Sequence, residues 1–431
     1  MGRWFPVWRR ADGHGAVAVD EHPGGWQSLA MGGQHLMAMT GSNVIGPLLM
    51  GFDPNVALLC SGLGTLLFFV VTAGRVPSYL GSSFSFITLA VALTGYSGHG
   101  PNPDIGLACG GIFAAGVLYA LIGLVVIVTG AGWIERLMPP AVTGAIGAAI
   151  GLNLAPVATR GLGHGDMGTV CGLFALLCMA GFAIHRSVVV RRLSILLALV
   201  LSSALYVVIA NGLALAPAVD FAAIGQAPLL GLPHFATPRF APGAMIFMAP
   251  VAIVLVAENL GHLKAIGAMA GAPLDRLAGR AFLGDGLATM LAASLGGTGV
   301  TTYVENLGVM AVSRVYSTLV FAVAGGLAVL LSFSPLFGAL LAAIPAPVVG
   351  GLALGLFGLI AATMVRVWIE SRVDFSTPAT LFPVGVALVA GAGDFTVQIG
   401  GITLGGIVTA SLAAIILNRI LAPRAARETT R

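Results

Sequence analysis

The chain has 431 residues, 58% hydrophobic and 8% charged, with a formal net charge of +4 and a mean hydropathy of +0.99. Soluble domains carry about 25% charged residues, so this composition excludes a water-facing globular surface and makes lipid the solvent. Four cysteines (Cys60, Cys109, Cys171, Cys178) lie in apolar runs without a CxxC pair, which implies neither a disulfide framework nor a metal site.

Residues 1–26 carry Arg3, Arg9 and Arg10 followed by the polar "ADGHGAVAVDEHPGG". They read as a cytoplasmic tail, because no apolar stretch follows the positive charges as in a signal peptide. Apolar segments then fall at 27–47, 55–73, 79–94, 106–130, 139–158, 168–185, 193–212, 243–263, 281–297, 304–313, 316–333, 345–365, 378–392 and 400–421. Runs near 20 residues match the thickness of a bilayer core as helix. The expected fold is an all-α polytopic membrane protein of fourteen segments, with 422–431 a second cytoplasmic tail. With the N-terminus inside, only Arg160 and Arg239 among the 20 basic residues fall outside. A wrong count of segments would scramble that asymmetry, which sets orientation and is no argument for nucleic acid.

The chain also resembles itself. A shift of 224 puts Gly62, Leu63, Thr65 and Leu67 on Gly286, Leu287, Thr289 and Leu291, "VPSYL" (Val76–Leu80) on "VTTYV" (Val300–Val304), and Gln34 on Glu258. Further on, a shift of 206 matches Met138–Ile146 to Ile344–Leu352. Two halves of seven segments each must lie upside down relative to one another. Inverted repeats with broken helices are the architecture of secondary transporters, with the site at the repeat interface near the midplane.

Two stretches are too polar for lipid-facing helix: "PSYLGSSFSFITL" (Pro77–Leu89) and "TGVTTYVENLG" (Thr298–Gly308). Their β-branched, aromatic and hydroxyl residues with glycines predict a short extended segment leading into a half-helix. Such backbone is tolerated at that depth only when buried in protein or lining a cavity. Two extended segments can pair as antiparallel strands and aim both half-helix N-termini at one point. In "VAENLGHLKAIG", Glu258 and His262 are four residues apart and share a helical face. Ionised, Glu258 at the bilayer centre costs about 3 to more than 10 kcal/mol, and acids there are functional by default. Protonated it can donate a hydrogen bond, deprotonated it can only accept, so its bonding to a ligand is tied to the proton. Glu305, in the second polar stretch, is the other candidate. His35 reads as an interior histidine, Asn43 and Asn153 as interhelical hydrogen bonds, Asp285 as a helix cap, Asp394 as solvated, and Lys264 as reaching the cytoplasmic interface.

The motifs "QHLMAM", "YLGSSFSF", "AENLGHL" and "GVTTYVENLGVMAVSRVYST" resemble the nucleobase–ascorbate transporter family from about Gln27 to Leu421, with details similar to its bacterial uracil and Rut-type pyrimidine permeases. Of the family signature, Glu305, Asn306 and Gly308 are present, with Ser313 in place of threonine before Arg314. The resemblance implies a core domain (27–130 and 243–333) and a gate domain (139–212 and 345–421), homodimers in a bacterial inner membrane, and proton-coupled uptake of uracil or a related base. Glu258 and Glu305 would then hold the base, with Phe84, Tyr303 and Val304 lining the site. His262 would join Glu258 in proton coupling, with support from His35, Gln34, Asn306 and Ser83. No cofactor and no metal are implied beyond the proton motive force. Purine (xanthine or urate) uptake, or an anion transporter or channel on the same fold, are the rival readings. An enzyme is not expected, since Glu258 and His262 lack a third ligand or a nucleophile.

Overall fold

Proline, glycine and aspartate punctuate the apolar runs and set where helices begin and end. Asp53 accepts hydrogen bonds from the Asn55 and Val56 N–H groups at 2.7 and 3.1 Å, and Pro54 takes the first helical position behind it. Gly51, at φ 72°, closes the preceding helix with a left-handed cap. The computed structural model of the chain describes residues 4–12, 15–98, 100–163, 165–303, 305–399 and 402–428.

The elements that frame the site are, in chain order, α1 (Gly25–Met50), α2 (Pro54–Val71), β1 (Leu80–Ser82), α3 (Ile87–Thr94), α4 (Ile105–Thr129), α5 (Pro140–Asn153), α6 (Met167–Ala183) and α7 (Ser194–Val207). There follow α8 (Val251–Ala270), α9 (Ala278–Ser294), β2 (Val300–Thr302), α10 (Glu305–Ser313), α11 (Thr318–Ser332), α12 (Ala346–Glu370), α13 (Pro378–Ala392) and α14 (Gly406–Glu428). Among the described residues six helices are long and apolar enough to cross a membrane, or seven if α11 and the helix Pro335–Ala342, bent by 85°, form one span. Several of the fourteen expected segments are shorter than such a span: α6, α9 and α13 have 17, 17 and 15 residues, α3 and α10 have 8 and 9, and α14 is apolar only over Gly406–Leu421. The chain is a helical membrane protein.

The helices pack in two sets. In one, α9 lies along α4 and α2, and α11 lies on α2 and α1. In the other, α12 lies against α5 and α6, α13 against α14 and α5, and α7 against α6. Without a hydrophobic force between helices in lipid, close approach through small residues supplies the packing. A Cβ on Gly116 of α4 would come within 2.9 Å of the Gly286 carbonyl of α9, and one on Gly123 within 2.9 Å of that of Gly279.

The N-terminal stretch, expected as a tail, is docked on the first set. Val17 exchanges backbone hydrogen bonds with Arg314 and Tyr316, both at 2.9 Å. The Trp8 indole stacks on Phe69 with centroids 5.6 Å apart and donates to Thr318 Oγ1 at 2.9 Å.

Candidate binding site

Both polar stretches break their helices, as the residue types demand, and the two breaks meet. β1 and β2 pair antiparallel, with Leu80 opposite Thr302 and Ser82 opposite Val300. Beyond the ladder the Ser83 N–H donates to Gly299 O at 2.8 Å and the Tyr303 N–H to Tyr79 O at 3.2 Å. Gly81 permits this: a Cβ there would collide with the Tyr303 ring and the Asn43 side chain. A hydroxyl from the preceding helix holds each strand. The Leu80 N–H donates to Thr65 Oγ1 at 2.9 Å and the Val300 N–H to Thr289 Oγ1 at 3.3 Å. Thr65 and Thr289 are the pair matched by the 224-residue shift, but the strands themselves are offset by 220. The pairing of Val76–Leu80 with Val300–Val304 is therefore off by four residues, because the linker from threonine to strand is that much longer in the first half.

A cavity of about 770 Å³ opens beside the ladder, and Glu258, His262, Phe84, Tyr303 and Glu305 all stand on its wall. Glu258 and His262 come from one face of α8, as their spacing requires. Glu305 is the first residue of α10. Ser85 donates to Glu258 Oε2 at 3.4 Å, and Ser42 donates to Glu305 Oε1 at 2.7 Å. His262 Nδ1 and Thr302 Oγ1 are 2.9 Å apart, which anchors the imidazole to β2. The Phe84 and Tyr303 rings stack at 6.1 Å, and Phe357 from α12 meets Phe84 edge-on at 5.8 Å. The Tyr303 hydroxyl is turned back to donate to Ser82 O at 2.7 Å. An aromatic floor and two carboxyl groups thus share one pocket, a pattern suited to a small flat ligand with polar edges.

The other candidates lie behind that wall. His35 is fully buried, with Nδ1 3.1 Å from Asn306 Oδ1, and the Asn306 amide donates to Tyr79 O at 3.4 Å. Both brace the start of α10. Ser83 is fully buried in the connection after β1, Gln34 is half-buried on α1, and neither belongs to the cavity lining. Val304 lies outside the described residues.

Asp285 corrects the expectation of a cap. It sits inside α9, fully buried, and accepts from the Asn259 amide at 2.5 Å and from Thr301 at 3.4 Å. The Tyr119 hydroxyl is 3.5 Å away. This cluster ties α8, α9 and β2 together one layer behind Glu258. The signal was in the sequence: an aspartate among small residues inside an apolar run, and an asparagine directly after Glu258. Lys264 does reach the surface, where it pairs with Glu135 at 3.0 Å. Asp394 is exposed and also accepts from Asn153 at 3.0 Å. Arg191 and Arg192, not singled out beforehand, also line the cavity.

A helical membrane protein with a largely apolar pocket that holds two carboxyl groups beside broken helices is placed among the permeases, and not the enzymes, by its relatives. The model of the Xan_ur_permease family, described as a permease family, matches residues 26–400, and the chain belongs to that family. It is 52% identical over 420 residues to RutG of Escherichia coli (strain K12), whose name describes a pyrimidine permease, covering 97% of this chain and 95% of that one. It is 36% identical to the uracil permease of Escherichia coli (strain K12), covering 94% of each, and 36% identical to that of Bacillus caldolyticus, covering 93% of each. Among solved structures it shares its fold with SLC26A9, at a TM-score of 0.64 and 11% identity over 92% of this chain and 64% of that one. The transmembrane domain of the cyanobacterial bicarbonate transporter BicA gives a TM-score of 0.54 at 15% identity, covering 91% and 96%.

Proposed function

We propose that the protein is a proton-coupled symporter that imports uracil or a related pyrimidine nucleobase across a bacterial inner membrane by alternating access. The observation that carries the reading is the placement of Glu258 and Glu305 on one cavity wall beside Phe84. Uracil is flat and neutral, with ring N–H donors and carbonyl acceptors around its edge. Two carboxyls match the N–H groups, the strand and half-helix backbone at Phe84 and Tyr303 offers partners for carbonyls, and the Phe84 ring covers a face. A site built to bond a polar edge strongly rejects analogues that lack it. The names of the relatives support the same substrate class. Glu258 only accepts when deprotonated and also donates when protonated, which links its proton to the ligand; His262, held by Thr302, is the neighbouring proton group.

The architecture in this proposal is two inverted repeats of seven segments. α1–α4 and α8–α11 form the core domain, α5–α7 and α12–α14 the gate. Support comes from the two packing sets, the antiparallel meeting of the two broken segments and the matching roles of Thr65 and Thr289. The cavity lining includes Arg191 and Arg192, before α7, and Met364 and Val367, in the last turns of α12, on the side that the charge asymmetry assigns to the cytoplasm together with both termini. The state is therefore inward-facing. Homodimers belong to the same proposal. Two acids in the pocket oppose an anion as cargo, and the likeness to anion transporters at 11–15% identity concerns the fold alone.

The test is uptake of labelled uracil into proteoliposomes with an inward acidic gradient. Accumulation that a protonophore abolishes supports the proposal, and uptake that ignores the proton gradient but needs sodium overturns the coupling. Competition by thymine, xanthine, hypoxanthine and urate separates pyrimidine from purine transport.

A further inference from the structure

Ser42 is fully buried and is not part of the cavity lining, yet it makes a 2.7 Å hydrogen bond to Glu305 Oε1. The next residue, Asn43, accepts from the Ser82 N–H at 2.8 Å and donates to Ser61 Oγ at 2.9 Å. Ser61 in turn donates to Leu80 O. Consecutive helical residues point about 100° apart, so this one turn of α1 reaches the acid on α10 with one side chain and the strand β1 with the other. α1 passes close enough for this because a Cβ at Gly46 would already lie 3.0 Å from Ser82 Oγ.

We infer that Ser42 is a positioning residue that sets how Glu305 meets its ligand. The terminal torsion of a glutamate is broad and two-fold, so a carboxyl without a partner samples many orientations. Holding Oε1 through Ser42 fixes the plane of the group and leaves Oε2 as the oxygen presented to the cavity. A single fixed acceptor reads one N–H in one direction, whereas a free carboxyl accepts from several. Ser42 therefore sharpens both affinity and discrimination for a ring that offers a donor at that edge, without touching the ring itself. The assignment rests on the reading of Glu305 as a ligand-binding acid.

The experiment is a double-mutant cycle on the full-length protein in detergent. Uracil binding is measured by calorimetry for the parent, Ser42→Ala, Ser42→Thr, Glu305→Gln and the Ser42→Ala/Glu305→Gln double variant. Losing one hydrogen bond to a charged group weakens binding about tenfold, so Ser42→Ala is expected to bind about tenfold more weakly. Ser42→Thr, which keeps the hydroxyl, is expected to stay within about twofold of the parent. In the Glu305→Gln background the amide oxygen still accepts from Ser42 but as a neutral, weaker partner, so the serine change is expected to cost clearly less than in the parent. A general packing defect would instead add the same cost in both backgrounds, and that result overturns the assignment. So does parent-like binding by Ser42→Ala where Glu305→Gln fails to bind. Parent-like binding by Glu305→Gln sinks the underlying reading of the site instead. If Ser42→Ala does not fold, Ser42→Cys against Ser42→Thr decides the matter, since both fill the space and only threonine donates strongly. Equal binding by those two variants overturns the assignment.

Discussion

Thr88 donates a hydrogen bond to Asn153 at 2.7 Å, and that bond joins the two packing sets. Thr88 stands on α3, one turn beyond the Phe84 that floors the pocket. Asn153, on α5, uses its amide on Gly391 O and Asp394 Oδ1, both at 3.0 Å. Neither Thr88 nor Asn153 lines the cavity, whereas Arg191 and Arg192 do, and under the proposed inward-facing reading the link belongs to the closed side of the site. On the alternating-access reading proposed above, this bond belongs to the arrangement seen here, and breaking it is expected to disfavour that arrangement. A change of about 1 kcal/mol shifts such an equilibrium roughly fivefold. Asn153→Ala is expected to raise labelling of a Ser85→Cys reporter by an impermeant maleimide added outside by about that factor. The measurement is made in right-side-out vesicles with the four native cysteines replaced. Unchanged labelling would show that the bond is not part of the outer closure.

Glu258 and Glu305 share the pocket but are expected to fail differently. Glu305→Gln swaps an acceptor for a mixed donor and acceptor at nearly the same size. The cost of a charged hydrogen bond, about 1.5–3 kcal/mol, predicts roughly 10- to 150-fold weaker uracil binding. Glu258→Gln loses its exchangeable proton as well. It is expected to retain uracil exchange between equal pools at a reduced rate while losing accumulation against a gradient. Counterflow and gradient-driven uptake measured on the same proteoliposomes separate the two behaviours.

Asp285 tests whether the layer behind the wall matters. Replacing it with alanine leaves the buried Asn259 amide and Thr301 hydroxyl without their acceptor, and unsatisfied buried groups cost about 1–3 kcal/mol each. Asp285→Ala is expected to lower the melting temperature in detergent by several degrees and to weaken uracil binding through displacement of β2. Asp285→Asn, which keeps an acceptor for Asn259, is expected to recover most of the stability. Equal melting temperatures for the parent and both variants would remove the structural role.

Residues whose chemistry conflicts with lipid were the ones legible in sequence. Glu258, Glu305 and the two hydroxyl-rich stretches stood out because a membrane interior permits them only where protein satisfies them, and four-residue spacing already put His262 beside Glu258. What the sequence did not disclose depends on distant partners. The four-residue offset of β1 against β2 follows from linker lengths, which weak self-similarity in Gly- and Leu-rich sequence does not fix. Asp285 looked like a cap because its helix start was placed too late; α9 begins at Ala278, which puts the carboxyl two turns inside. Its partners Asn259 and Thr301 come from other elements. Ser42 carried no mark at all among the small residues of α1, since only the fold brings Glu305 within its reach.

The N-terminal arm is the remaining long-range feature, and its geometry separates stability from binding. Val17 extends the backbone of Arg314 and Tyr316, directly after the helix that Glu305 begins, and Trp8 is clasped by Phe69 and Thr318. These contacts hold the end of α10 remote from Glu305, about 13 Å along a nine-residue helix. Trp8→Ala removes a stacked indole and a hydrogen bond, and truncating a tryptophan costs about 3–5 kcal/mol when fully buried. At this half-buried site roughly half of that is expected, seen as a lower melting temperature and faster trypsin cleavage at Arg9 and Arg10. The uracil affinity of the folded fraction is expected to stay within about twofold, because the pocket end of α10 is braced separately by His35, Asn306 and Ser42. A large loss of affinity at unchanged melting temperature would mean that the arm acts on the site through α10 and is no mere strap.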